Sequence, residues 1–203
     1  MKSRDYALPA ALAALAVTGL AVQTATAMPV GNRKVPEPAT PVELTRYLGL
    51  WYEMGRYENR FEKGCDFVTA EYSLADDGRV NVINTCGRQA GEDGKVSKGK
   101  AKVLPDSGNA KLKVSFFGPF YFGNYWVLDH AEDYSWSIVG EPSGKYLWIL
   151  TRQPTPVFRL RQDLTARARE LGYDTDLIRW TKQDSTTPAA EADTSGPYVW
   201  RAD

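Results

Sequence analysis

The sequence predicts an all-β protein: an eight-stranded antiparallel up-and-down barrel, closed on itself, with one C-terminal α-helix packed on its outside. Three observations predict it. From Gly49 to Thr151, β-branched and aromatic runs alternate with polar residues, and turn signals part them at short intervals. No alternation of strand and helix occurs there, which argues against a parallel sheet. One helical apolar stripe follows the last strand. Eight short strands in sequence suit closure, because a closed barrel leaves no exposed sheet edge.

Eight strands are expected, at 49–58, 66–75, 79–87, 95–104, 110–117, 123–129, 134–140 and 145–152. Their separators are turn-formers: Asp76-Asp77-Gly78, Glu92-Asp93-Gly94, Pro105-Asp106-Ser107-Gly108 and Pro142-Ser143-Gly144. The helix is expected after Thr155 as cap and Pro156 in the first turn. Its stripe is Val157, Leu160, Leu164, Ala168 and Leu171, and Gly172 stops it. Arg159, Arg161, Arg167 and Arg169 fall mostly off that stripe and read as a solvated face. A short final strand is expected at 177–181.

Outside the barrel the chain divides simply. Residues 1–27 read as a signal peptide: Lys2 and Arg4, then an apolar run over 7–22, then Ala25-Thr26-Ala27 at a cleavage site. Residues 28–42 read as a Pro-rich linker, 43–183 as the barrel and helix, and 184–203 as a polar, disordered tail. No cysteine lies near the cleavage site to accept a lipid, so the expectation is a periplasmic or secreted product that is not lipid-anchored. The 25 basic and 25 acidic residues leave no net charge, and so no long-range field for nucleic acid. In an exported chain, Cys65 and Cys86 are expected to form a disulfide. Two cysteines and the single His130 are too few for a structural zinc site, so no metal and no cofactor is expected.

The Asp76-Asp77-Gly78 turn sets a register, pairing Leu74 with Val80 and Tyr72 with Val82. Polarity then places Tyr72, Val82, Asn84 and Cys86 on the inner face, with Glu71, Ser73, Arg79 and Asn81 outside. The same alternation puts Ala101, Val103, Leu112, Val114 and Phe116 inside. Over 122–129 and 146–152 both faces are apolar, so periodicity does not choose between them. On this register Cys65 is out of phase with Cys86, and a bulge or early strand end is expected at one of them. Whether side chains fill the interior or leave room for a ligand is open at this point, since an eight-stranded barrel suits either.

Gly49-Leu50-Trp51-Tyr52-Glu53 opens the first strand, Asp129 with Asp133-Tyr134 marks the sixth-to-seventh turn, and Thr151-Arg152 ends the eighth strand. In order and spacing these resemble the three motif regions of lipocalins. The segments Phe61-Glu62-Lys63-Gly64-Cys65, Gly118-Pro119-Phe120-Tyr121 and Tyr146-Leu147-Trp148-Ile149-Leu150 are similar to the bacterial outer-membrane lipocalins, related to apolipoprotein D. The resemblance implies structural roles for Gly49, Trp51, Asp129, Tyr134 and Arg152, with Arg152 packed across Trp51 at the closed end. It also assigns the ambiguous strands, turning Tyr125, Val127, Trp136, Ile138, Tyr146 and Trp148 inward.

The function implied is binding and transport or storage of a hydrophobic or amphiphilic molecule, a fatty acid or a lysophospholipid, in cell-envelope lipid maintenance. The ligand set is Tyr72, Val82, Asn84, Val103, Leu112, Val114, Phe116, Tyr125, Val127, Trp136, Ile138, Tyr146 and Trp148. The aromatic loop at 118–122 stands at the open end, either touching membrane or packing on neighbouring loops. Two other readings stand beside this one. A lipocalin-fold enzyme would need a free thiol or an inward histidine, and the sequence offers neither. An interaction module with an aromatic mouth would have a filled barrel.

Overall fold

The computed structural model describes residues 29–87 and 94–184. The expected signal peptide, the tip of the 87–94 loop and nearly all of the expected tail lie outside the described residues. The eight expected strands are present: β1 Gly49–Tyr57, β2 Asp66–Leu74, β3 Val80–Gly87, β4 Lys95–Val103, β5 Lys111–Ser115, β6 Gly123–His130, β7 Trp136–Gly140 and β8 Leu147–Thr151. Each pairs antiparallel with the next, β8 pairs with β1, and β1 pairs with β2, so the sheet closes. The β2–β3 hairpin holds the expected register, with Leu74 opposite Val80 and Tyr72 opposite Val82.

One edge of β1 pairs with β8, and the other is shared between two neighbours. Its first half, Gly49–Tyr52, pairs with β2. Beyond that the two strands part, and the C-terminal segment enters the gap. There β9 (Ile178–Trp180) pairs with Gly55–Tyr57. Phe67 N donates to Lys182 O, and Gln183 Nε2 donates to both Glu53 O and Val68 O. Residues 178–183 therefore complete the wall that β1 and β2 leave open. This satisfies backbone groups that would otherwise be stranded at an edge.

Two α-helices are present among the described residues. α1 (Leu44–Tyr47) was not expected from the sequence, being a single turn with no apolar period to reveal it. α2 (Phe158–Glu170) starts later than expected. Val157, not Thr155, is its N-cap, and no side chain caps it. Thr155 precedes a proline, which biases it away from helical geometry. Val157 consequently lies outside the packed stripe and is exposed, while Leu164 and Ala168 are fully buried. Gly172 ends the helix at φ +95°, with Tyr173 N donating to Ala168 O.

The arginines of α2 are not merely a solvated face. Arg167 Nε bonds Asp129 Oδ2 at 2.6 Å, and the Arg161 guanidinium lies 3.9 Å over the Trp180 ring. Both pin the helix to the barrel. Nor is 28–42 a free linker over its described part. Ala39 N donates to Leu128 O, Val42 N to Gly108 O, and the buried Asn32 donates to Leu171 O at the end of α2. The prolines keep this strap extended, and it lies along the barrel surface.

Two apolar clusters result. One fills the lower barrel around Trp51, Tyr72, Val82, Leu112, Val127 and Leu150. The other lies between the barrel wall and α2, around Met54, Leu128, Ile138, Ile149, Leu164 and Tyr173. The second cluster explains why 122–129 and 146–152 are apolar on both faces.

Cys65 and Cys86 form a disulfide, with Cα atoms 5.2 Å apart. The register shifts between Asp66 and Thr69, and Phe67 takes φ +51°. That irregularity turns Cys65 toward the ladder position that a regular strand would deny it. Reduction is expected to lower unfolding stability by ~2–4 kcal/mol, read from urea transitions with and without reductant. Coincident transitions would refute this.

Candidate functional site

The barrel has one closed end and one looped end. At the closed end α1 lies across the opening and Tyr47 enters the barrel. Trp51 is fully buried, and its indole N–H donates to Tyr47 O at 2.8 Å. The Arg152 guanidinium stacks 3.7 Å above the Trp51 ring and donates to the carbonyls of Leu48 and Leu50. Gly49 has φ +90°, and a Cβ there would come within 3.4 Å of the guanidinium. The positive φ, rather than lack of room, makes a side chain at that position costly. Tyr134 packs beside them at φ +59°, its hydroxyl accepting from Glu43 N.

Above this floor lies a polar layer. Tyr47 and Tyr125 hydroxyls share a 2.8 Å hydrogen bond, Tyr72 donates to Tyr125 at 3.0 Å, and Tyr47 also meets Ser137. Burial pushes the Tyr47 hydroxyl up to about 12 and raises Tyr72 and Tyr125 as well. The trio is neutral at any physiological pH and acts as a fixed set of donors and acceptors.

Higher on the wall, β1 turns two charges inward. Glu53 pairs with Leu150 and Arg56 with Trp148, and both partners face the interior. A bulge at Met54–Gly55 puts residues three apart on one face. Arg56 Nη1 donates to Glu53 Oε1 at 2.6 Å, and Nη2 donates to Glu62 O. Thr181 also donates to Glu53 Oε1. Trp148 donates to Glu62 Oε2 at 2.9 Å, tying the β1–β2 loop across the mouth. Burial, with the Glu62 charge adding, holds the Glu53 carboxyl up at about 7 against the pull of Arg56.

Of the expected ligand residues, Tyr72, Val82, Leu112 and Val127 lie in the buried lower cluster, and Val103, Val114, Tyr125 and Trp148 border it half-buried. Asn84 faces inward opposite Ala70, and its Oδ1 has no hydrogen-bond partner. Tyr146 stands at the mouth, stacked 5.6 Å from Trp148 and 6.3 Å from Phe61. Phe116 lies just past β5, against the inner side of Gly99, and is partly exposed.

Trp136 and Ile138 are corrections. Both face outward into the cluster beneath α2. Ile138 pairs with Ile149, while Val139 pairs with Trp148. A bulge between Val127 and Asp129 shifts the β6–β7 register and turns Asp129 out toward Arg167. Sequence reasoning missed Tyr47, Glu53, Arg56, Glu62 and Ser137. The one available signal was a Glu and an Arg inside an otherwise apolar first strand.

Burial is incomplete along part of the inner wall. Ala70, Asn84, Val103, Val114, Tyr125 and Trp148 face inward yet remain half-buried. An eight-stranded antiparallel barrel with one plugged end, one looped mouth and such an interior belongs with the barrels that enclose small ligands. The chain is a member of the lipocalin family: the lipocalin-like domain model matches residues 42–183. It is 46% identical over 138 residues to outer membrane lipoprotein Blc of Citrobacter freundii, covering 68% of this chain and 77% of that protein. It is 36% identical over 131 residues to apolipoprotein D of Rattus norvegicus, covering 58% and 66%. Insecticyanin of the tobacco hornworm Manduca sexta shares the fold, with TM-score 0.56 at 21% identity over 77% of this chain and 86% of that one.

The bacterial relative overturns one expectation. It is named an outer membrane lipoprotein, which conflicts with a product that is not lipid-anchored. The expectation rested on the missing cysteine near residue 27 alone. Binding of hydrophobic small molecules is the general lipocalin role.

Proposed function

We propose that this chain binds a single-chain amphiphile, a fatty acid or a lysophospholipid, in the barrel and carries or stores it in cell-envelope lipid maintenance. The observation that carries the reading is the half-buried inner wall above the tyrosine layer. Apolar side chains there line space without filling it, while Asn84, Glu53 and Glu62 supply polar contacts near the mouth. Each buried methylene contributes ~0.8 kcal/mol, so about sixteen carbons yield on the order of 12 kcal/mol. Association costs ~4–15 kcal/mol, so the headgroup contacts decide the affinity. The groups a lipocalin-fold enzyme would call on are otherwise engaged, which favours the binding reading: both cysteines are bridged, and His130 stacks on Tyr134 at the closed end.

Native mass spectrometry of gently purified protein tests the reading directly and should show about one retained lipid per barrel. Val114→Trp places an indole on the inner wall, flanked by the small residues Ala101 and Gly123. Calorimetric titration with a long-chain fatty acid should then weaken tenfold or more, roughly 1.4 kcal/mol. On this reading the fold should survive, since volume enters ligand space rather than a packed core. A Val114→Trp protein that unfolds, together with a parent that binds nothing, would describe a solid barrel and sink the proposal.

A further inference from the structure

The loop between β5 and β6 carries aromatic surface that the cup does not use. Phe117 is 86% exposed, Phe122 81% and Phe120 62%. Phe120 and Phe122 stack on each other at 5.7 Å and stay largely exposed. Exposed phenyl rings in one short loop are a cost in water unless something covers them. The loop is not loose at its root. Ser115 Oγ donates to Gly118 O, and Ser115 faces outward opposite Lys100. Tyr121 is drawn onto the outer wall: its hydroxyl accepts from Arg79 at 2.9 Å, and the Lys102 ammonium lies 5.0 Å from its ring. The three phenylalanines are thus displayed beside the outer wall of β3–β5 rather than over the mouth.

That wall is basic. Lys98, Lys100 and Lys102 share the outer face of β4. Lys113 on β5 sits directly opposite Lys102. Like charges at directly opposed positions destabilise a sheet, so this pairing works against the fold. Asp77 partners Arg79 and Lys100. Lys98, Lys102 and Lys113 have no carboxylate within ion-pair distance among the described residues. An overall charge of zero conceals this local cluster of lysines.

We infer that the β5–β6 loop and the lysine wall of β4–β5 form a docking surface for an anionic lipid bilayer. Protruding rings, not a groove, suit a deformable apolar layer in which they can sink. Lysines without carboxylate partners suit diffuse headgroup charge, which would also relieve the Lys102–Lys113 repulsion. A protein partner would instead need shape complementarity to three separately exposed rings. The docking surface does not depend on what the cup holds.

Co-sedimentation of the full chain with vesicles tests it. Phosphatidylcholine vesicles containing phosphatidylglycerol are compared with phosphatidylcholine alone, for the parent, for F117S/F120S/F122S and for K98E/K102E/K113E. The apolar run at 7–22 is common to all three chains, so differences report on the surface. The parent should partition at least tenfold more strongly to the anionic vesicles, and each variant should lose at least tenfold of that binding. A parent without preference for anionic vesicles, or either variant binding as the parent does, overturns the inference. If the triple serine variant does not fold, Phe117→Ser and Phe122→Ser singly carry the same comparison. Fatty-acid titration without vesicles should be unchanged in every variant. Loss of that signal in the parent would refute the cup and leave the vesicle result standing.

Discussion

Trp51→Ala is expected to cost ~3–5 kcal/mol of unfolding stability whether or not a ligand is present. The indole is fully buried and is the largest side chain of the floor. Removing it opens a cavity beneath Tyr47, whose ring centroid lies 5.0 Å from the indole. It also deprives the Arg152 guanidinium of the ring it covers and Tyr47 O of a donor. The cation–π contact alone is worth ~0.5–2 kcal/mol. Urea unfolding at several protein concentrations measures the change. A loss under about 1 kcal/mol would mean that α1 and Arg152 close the barrel without the tryptophan, against the mechanism argued from their contacts.

Arg56→Met is expected to be comparably severe at alkaline pH and mild in acid. Arg56 is fully buried and bonds Glu53, Glu62 O and Cys65 O. Removing one member of a buried pair typically costs ~3–5 kcal/mol, because the other charge is left uncompensated. Here the remaining group can escape by taking a proton. The folded carboxyl of Glu53, at about 7, already lies above the ordinary value for an unfolded chain. A raised carboxyl binds protons more readily in the folded state, so its contribution is greatest in acid. That contribution is lost as pH rises from the ordinary glutamate range to about 7, and it is flat beyond. Without Arg56 the carboxyl rises further, and the loss continues to higher pH. Paired urea transitions at pH 5 and pH 8 should therefore show less than half the deficit at the lower pH. Adding Glu53→Gln to Arg56→Met should recover much of the deficit at the higher pH. Equal deficits at both pH values would show that Glu53 does not take up the proton.

The buried pair also marks where pattern reading stopped. Within β1, period two predicts that Glu53 and Arg56 lie on opposite faces. The Met54–Gly55 bulge cancels that, and Gly55 accepts it because the Trp180 ring and Ile178 press on its outer side. Trp136 and Ile138, which the resemblance turns inward, face α2 instead. Bulges in β1 and β6 each shift alternation by one residue, and in a strand apolar on both faces nothing in the residue types reveals the shift.

The sequence by itself determined the strand count, the β2–β3 register, the disulfide partners and the motif residues of the closed end. Each of these follows from local signals: alternation, turn residues, cysteine number and three short motifs at fixed spacing. Only the tertiary structure decided which face of β7 meets α2, that residues 178–183 complete the wall between β1 and β2, and that the 29–42 strap is packed. It likewise decided that Tyr47 reaches Tyr72 and Tyr125 and that Glu53 and Arg56 are enclosed together. These depend on contacts between residues tens of positions apart, chosen by the competition among buried surfaces and polar groups seeking partners. A local pattern carries no record of that competition.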